Sequence, residues 1–139
     1  MKIPKNLPQF EKNSVAIIVA GNLNADFYLA DKGVINKVSG FVVEKSKFSD
    51  REQTGKYGNV FFQSGDKAGA MKNFLQKESF TAFKSNLKNV SSAKVAYLFA
   101  PGTIMPELQK LLPKKWEKTL KTYNGNFVKL SLVDLLKKI

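Results

Sequence analysis

The chain has 139 residues, 43% of them hydrophobic, and a formal net charge of +12 from 23 basic and 11 acidic side chains. It contains no cysteine and no histidine, which excludes disulfides, thiolate nucleophiles and every serine–histidine or cysteine–histidine catalytic arrangement. No apolar run approaches the roughly 20 residues of a membrane-spanning helix. The first 13 residues are interrupted by Pro4, Pro8 and charges and lack the apolar centre of a signal peptide. We therefore expect a cytoplasmic location.

The excess of basic residues favours polyanionic partners, such as nucleic acid, the ribosome or an acidic membrane surface. Arg51 is the single arginine among these residues, and all the others are lysines. Lysine binds phosphate as a flexible point charge and lacks the two-pronged geometry with which arginine reads bases. The composition of an AT-rich genome would also explain a lysine excess, so the positive charge has an explanation that involves no binding function.

The N-terminal third predicts an antiparallel meander that follows an extended lead-in over residues 1–13. The first strand is continuously apolar, as in strands buried on both faces, and the second alternates. Asp31-Lys32-Gly33 is typical of a hairpin loop in which Gly33 takes a positive φ, and Gly40 suggests a β-bulge. The three predicted strands are Ser14–Ala20, Ala25–Ala30 and Val34–Glu44.

A glycine-containing polar stretch over residues 46–69 predicts a long loop, with Phe61 and Phe62 as its apolar anchors. Loops of this length in a compact domain are usually functional or mobile. We expect it to be the most mobile segment of the domain. Its candidate binding residues are Arg51, Gln63 and Lys67.

The spacing of apolar residues predicts a helix over Lys72–Val90. Its core stripe consists of Phe80, Phe83, Leu87 and Val90. Lys77, Lys84 and Lys88 share one flank of this helix. Like charges four residues apart destabilise a helix by a few tenths of a kcal/mol, so these three lysines do not stabilise the helix. They form either a solvated face or a binding surface.

The stretch from Ala93 to Leu112 predicts the centre of an α/β fold. Val95–Ala100 has the pattern of a strand buried on both faces, and Pro101-Gly102 ends it. A helix should follow with Thr103 as its N-cap and Pro106 in its first turn. The loop after such a strand is where α/β sheets usually place ligand sites. The predicted core residues are Val15, Ile17, Val19, Val95, Tyr97 and Phe99.

The C-terminal part predicts a short helix, an edge strand and a last helix. Pro113 opens the short helix, which is anchored by Trp116 and Leu120 and followed by an edge strand over residues 118–123. Ser131 should cap the last helix, with Asp134 in capping-box position. The short helix carries a second basic cluster, formed by Lys114, Lys115 and Lys118.

The sequence shows no catalytic constellation. It has no phosphate-binding glycine loop, dinucleotide fingerprint or nucleophile elbow. Asp26 could form a two-carboxylate site with Asp50 or Glu52, although nothing in the spacing brings them together. We predict no metal and no cofactor, and we leave open whether the chain is an enzyme.

The predicted fold class is α/β, with a single domain over residues 1–139. It has a mixed sheet with three antiparallel N-terminal strands, a central buried strand and covering helices.

The order of elements and two local stretches resemble a family of bacterial proteins described as required for attachment to host cells. The best matches are Val19–Ala25 and Leu98–Pro113, and Phe127–Ser131 with its following helix also fits. That family is regarded as a distant relative of the middle domain of archaeal and eukaryotic release factors. The resemblance covers nearly the whole chain and implies a mixed-sheet fold and an association with RNA or the ribosome.

The chain departs from the family pattern at several positions. Gly21-Asn22 replaces the usual Asp-Gly after the first strand, and Asp26 replaces an arginine. Asn126-Phe127 replaces an Asp-Leu pair before the last helix. The release-factor domain carries a Gly-Gly-Gln tip, whereas this chain has no Gly-Gly and places Gln63–Gly69 there. Hydrolysis in the release-factor manner is therefore not expected.

Three functions follow as hypotheses. The favoured one is a non-catalytic, basic RNA- or ribosome-binding module that uses the two lysine sets. The second is a carboxylate-dependent hydrolase or nuclease, and the third is a protein-interaction factor linked to attachment.

Overall fold

The computed structural model describes residues 1–43 and 66–139, and for residues 66–72 it describes the backbone alone. The strands are β1 (Val15–Ala20), β2 (Asn24–Asp31), β3 (Val34–Val42), β4 (Val95–Ala100) and β5 (Lys121–Asn124). The helices are α1 (Asp66–Leu87), α2 (Met105–Leu111) and α3 (Leu132–Lys138), and a short 3₁₀ helix spans Lys114–Trp116. Together these described elements form an α/β fold with a mixed five-stranded sheet.

The strand order is β3-β2-β1-β4-β5. β1 pairs antiparallel with β2 and parallel with β4, β2 pairs antiparallel with β3, and β5 lies parallel to β4. The antiparallel meander and the buried interior position of β4 are confirmed. The middle of the sheet belongs to β1, all six residues of which are buried, and β4 lies beside it.

The β2–β3 hairpin turns through two residues with positive φ, 48° at Lys32 and 78° at Gly33. Such a pair matches the right-handed twist of the strands, so the predicted loop is confirmed. The predicted bulge at Gly40 is wrong. Gly40 pairs regularly with Asp26, and the irregularity lies opposite Phe27 and Tyr28, where Val38 is the extra residue.

One face of the sheet, here called the first face, is covered by α1, α2 and the 3₁₀ helix. Strand side chains such as Ile18, Phe27 and Leu98 pack there against Phe83 of α1, Leu108 of α2 and Trp116. The ring centroids of Phe27 and Phe83 are 5.3 Å apart. The opposite face, here called the second face, is covered by α3 and the lead-in. Val15, Ile17, Val19, Tyr97 and Phe99 are buried there, as predicted, and Val95 is partly buried.

Several element ends differ from the sequence-based expectation. α1 runs over Asp66–Leu87, and the amide N–H groups of Asn89 and Val90 bond to carbonyls three residues back. The chain therefore turns toward β4 before Val90. α2 begins at Met105, and Thr103 is not its cap. The carbonyl of Pro101 accepts the N–H groups of Ile104 and Met105 instead, each at 3.1 Å.

Other local signals are confirmed. Pro106 lies in the first turn of α2. The hydroxyl of Ser131 accepts the N–H of Asp134 at 3.2 Å as the cap of α3. The edge strand exists as β5, although it spans Lys121–Asn124 rather than residues 118–123. Within the described ranges, no helix has the length and apolar character to cross a bilayer. Of the predicted mobile loop over residues 46–69, residues 46–65 lie outside these ranges, and residues 66–69 belong to α1 rather than to a loop.

Candidate nucleic-acid interface

The first lysine set lies along α1 and just past its end. Lys77 and Lys84 are helical, whereas Lys88 follows the last residue of the helix. All three side chains are exposed. The opposite side of the same helix holds Phe83 and Leu87 in the core of the first face. Burial of that apolar stripe orients the lysines outward.

The second lysine set surrounds the 3₁₀ helix. Lys114 and Lys115 are part of it, Lys118 follows it, and all three are exposed. Trp116 between them is fully buried and fixes the segment against the first face. The ammonium of Lys115 lies 6.0 Å from the centroid of the Trp116 ring, at the outer limit of a cation–π contact.

A hydrogen bond from Trp116 connects the segment that carries the second lysine set to the segment that follows the first. Its indole N–H donates to the carbonyl oxygen of Ala93 at 2.8 Å, and Ala93 lies in the segment that leads from α1 to β4. The hydroxyl of Thr119 lies 3.4 Å from the carbonyl oxygen of Lys94 in the same segment. Since both lysine-bearing elements also pack on the first face, the two sets lie on the same side of the sheet.

The six lysines make no ion pair with any carboxylate in the described part of the chain. The ion pairs there join Lys37 to Asp26 at 3.0 Å, Lys110 to Glu107 at 3.9 Å and Lys137 to Asp134 at 3.9 Å. An exposed, unpaired ammonium is available to a phosphate without first losing a protein partner.

Asp26, the residue considered for a carboxylate site, is instead paired with Lys37 across the β2–β3 ladder. A hydrogen bond from Lys37 to Asp26 raises the pKa of the lysine above its ordinary value. Burial, together with the charge of Asp26, raises the pKa of the neighbouring Tyr28, so that phenol stays protonated at neutral pH. Asp50 and Glu52 lie outside the described residues. Within the described ranges, no three carboxylates gather as a metal site.

Three further binding residues were predicted in the stretch over residues 46–69. Arg51 and Gln63 lie outside the described residues. Lys67 lies in the first turn of α1, in the part of that helix described by its backbone alone. These three residues stay predictions.

Backbone hydrogen bonds hold the chain at the carboxyl ends of the parallel strands. The N–H of Gly21 after β1 donates to the carbonyl oxygen of Asn24 at 2.8 Å, and the N–H of Gly125 after β5 donates to that of Ala100 at 2.9 Å. A Cβ at Gly21 would lie 3.1 Å from a methyl group of Val128. This edge, where α/β sheets usually bind ligands, is closely packed around Gly21.

The structure shows a groove that the sequence analysis missed, between α2 and β5 on the first face. Its volume is about 640 Å³. It is lined by Pro106, Gln109, Lys110, Leu112, Pro113, Lys114, Trp116, Glu117, Leu120 and Thr122. The two prolines and Trp116 were visible in the sequence as helix signals. Their arrangement around an open space depends on the pairing of β5 with β4, which local patterns do not specify.

Comparison with known proteins gives matches among solved structures alone. No family model matches the sequence, and no curated protein matches it. A crystal structure of the archaeal translation termination factor aRF1 is weakly similar, with a TM-score of 0.38 and 12% sequence identity. The match covers 90% of this chain and 37% of the length of that one. The resemblance to release factors thus has a weak structural counterpart, which carries no argument about activity, and no family model supports the resemblance to host-attachment proteins.

Proposed function

We propose that this chain is a non-catalytic module that binds RNA, free or within the ribosome, through lysine–phosphate contacts. The observation that carries the proposal is the placement, on one side of the sheet, of six exposed lysines that pair with no carboxylate among the described residues. We also propose the kinship with host-attachment proteins that Val19–Ala25 and Leu98–Pro113 suggest, a cytoplasmic location and a single domain.

The chemistry of lysine determines what kind of binding this surface supports. An ammonium on a flexible stem follows phosphates but does not distinguish bases. Binding should therefore tolerate changes of RNA sequence and weaken steeply with salt, because each contact releases a condensed counterion. With about four contacts to a single strand, the plot of log K against log salt should have a slope of about −3.

The test is a salt titration of RNA binding with matched charge variants. We expect Lys84→Ala combined with Lys115→Ala to flatten the slope by about 1.4 units, since each contact contributes about 0.7. The control combines Lys129→Ala with Lys137→Ala, which removes the same charge from exposed positions beside elements that pack on the second face. It should change the slope little. A salt-independent affinity in the unmodified protein, or equal effects of the two variants, would refute the proposal.

The two other hypotheses are outcomes of companion measurements. Cleavage of RNA that requires a divalent cation and disappears in Asp26→Asn would favour a carboxylate-dependent nuclease. Affinity capture from lysate, with and without ribonuclease, distinguishes RNA binding from the protein-interaction factor. Loss of ribosomal proteins after ribonuclease supports RNA binding, whereas an unchanged set of envelope proteins supports an interaction factor.

A further inference from the structure

The groove between α2 and β5 combines an apolar floor with a basic rim. Its apolar floor is formed by Leu112, Pro113 and Leu120 next to the fully buried Trp116, and its basic rim includes Lys110 and Lys114. Gln109 and Thr122 add an amide and a hydroxyl. Small-molecule sites have this composition, mostly apolar walls with a few polar groups that fix orientation. The volume of about 640 Å³ also falls within their range of about 300–1,000 Å³.

We propose that this groove holds one unpaired nucleotide of the bound RNA, with its base on the apolar floor and its phosphate at Lys110 and Lys114. This inference rests on the proposed function and deepens it, because it adds a base-binding subsite to a surface of phosphate contacts. Proteins that take up an unstacked or extruded base hold it against aromatic or apolar side chains.

The charge around the groove favours an anionic occupant. The stretch from Met105 to Leu120 contains four lysines and two glutamates. Lys110 contacts Glu107 at 3.9 Å, but both side chains are more than half exposed. Such a solvated pair does not withhold the ammonium from a phosphate. Glu117 lines the groove as well and repels a phosphate. We therefore expect the phosphate beside Lys110 and Lys114.

The groove also continues the second lysine set. Lys114 belongs both to that set and to the groove lining, and the ammonium of Lys115 lies near the Trp116 ring. A strand that follows Lys114, Lys115 and Lys118 therefore passes the groove opening. An apolar peptide would gain the floor contacts but would leave the rim lysines without partners. This difference favours the nucleotide as the occupant.

Trp116 is the single tryptophan of the chain and lies buried in the groove lining, so its fluorescence reports on changes in that lining. The probe is a short single-stranded oligoribonucleotide, compared with an abasic oligomer of equal length that carries the same phosphates. We expect the oligoribonucleotide to change Trp116 fluorescence and to bind at least tenfold more tightly than the abasic oligomer. The abasic oligomer should show a similar salt slope without the fluorescence change.

Two variants fill the groove without changing its charge. Thr122→Phe acts from exposed β5, where an aromatic residue suits a strand, and Gln109→Phe acts from the exposed side of α2. Each should abolish the tenfold preference for bases and keep the salt slope. Thr81→Phe, at an exposed position of α1, is the matched control and should keep the preference. Native circular dichroism of each variant verifies the fold.

The outcomes separate this inference from the proposed function. Equal affinity for the two oligomers with a steep salt slope overturns the groove and leaves RNA binding intact. A fluorescence response to a short apolar peptide but not to the oligoribonucleotide also overturns it, in favour of a peptide site. Absence of binding to either oligomer at low salt overturns both proposals.

Discussion

At the scale of single residues, Gly40 shows how a missing side chain organises the β2–β3 ladder. A Cβ at this position would lie 2.9 Å from the Oδ1 atom of Asp26, 3.0 Å from the carbonyl oxygen of Ala25 and 3.2 Å from the Cε atom of Lys37. The bare backbone thus provides room for the ion pair between Asp26 and Lys37. The sequence marked Gly40 as unusual but assigned it to a bulge, because a cross-strand contact leaves no local pattern.

We predict that Gly40→Ala lowers the free energy of unfolding by about 1 kcal/mol. Overpacking costs about 1–3 kcal/mol, and the reduced freedom of the unfolded chain offsets about 0.4–1 kcal/mol of it. Gly102→Ala is the control, since the nearest atom to its added Cβ would be Asn124 Cγ at 4.0 Å. That variant should be neutral or slightly stabilising. Urea unfolding measures both, and equal values for the two variants would contradict the packing argument.

At the scale of elements, the two helix starts with a predicted cap behave differently. Ser131 lies in extended backbone, with φ −66° and ψ 158°, and its hydroxyl accepts the N–H of Asp134. Thr103 lies before the start of α2, whose N-cap residue Ile104 makes no side-chain bond. The turn at Pro101 supplies a carbonyl for the N–H groups there, so the hydroxyl of Thr103 is not required.

Ser131→Ala should therefore destabilise the protein by about 1 kcal/mol, the typical effect of removing an N-cap hydroxyl. Thr103→Ala removes a similar hydroxyl from a residue that does not cap α2 and should stay within about 0.5 kcal/mol of the unmodified protein. Thermal unfolding of both variants makes the comparison. A larger loss in Thr103→Ala than in Ser131→Ala would show that the caps are assigned the wrong way round.

The elements themselves differ in how far the sequence predicts them. β1 and β4 are buried on both faces, so their apolar runs are continuous and their bounds are predicted to within one residue. The end of α1 is set by the turn that leads into β4, and the amide of Asn86 donates to the carbonyl oxygen of Ala82 at 2.7 Å near that end. Apolar periodicity continues through Val90 in the sequence because Val90 is buried in the turn as well.

At the scale of the whole molecule, the candidate interface depends on contacts between distant segments. Helical spacing predicts that Lys77 and Lys84 point outward, and exposure confirms it. The joining of the two lysine sets depends on the bond from Trp116 to Ala93, 23 residues apart. The groove depends on the pairing of β5 with β4. Neither contact has a local signature, so the individual lysines were predictable and their arrangement was not.

The net charge of +12 leads to a prediction about the folded state as a whole. Folding brings like charges closer together, and this self-repulsion opposes the compact state. Salt screens it, since the Debye length falls from about 30 Å at 0.01 M to about 3 Å at 1 M. We expect the free energy of unfolding to rise with sodium chloride by on the order of 1 kcal/mol, the scale of a few surface charge pairs. Urea, being uncharged, is the suitable denaturant.

A charge-lowered variant tests whether repulsion is the cause of this salt effect. Lys77→Glu combined with Lys88→Glu reduces the net charge from +12 to +8, because each change removes one positive charge and adds one negative charge. Both side chains are exposed, so the fold should tolerate the changes. The variant should be more stable at low salt and respond less to added salt. If stability instead falls as salt rises, the favourable ion pairs outweigh the lysine excess, and repulsion between unpaired lysines is not a significant force in this fold.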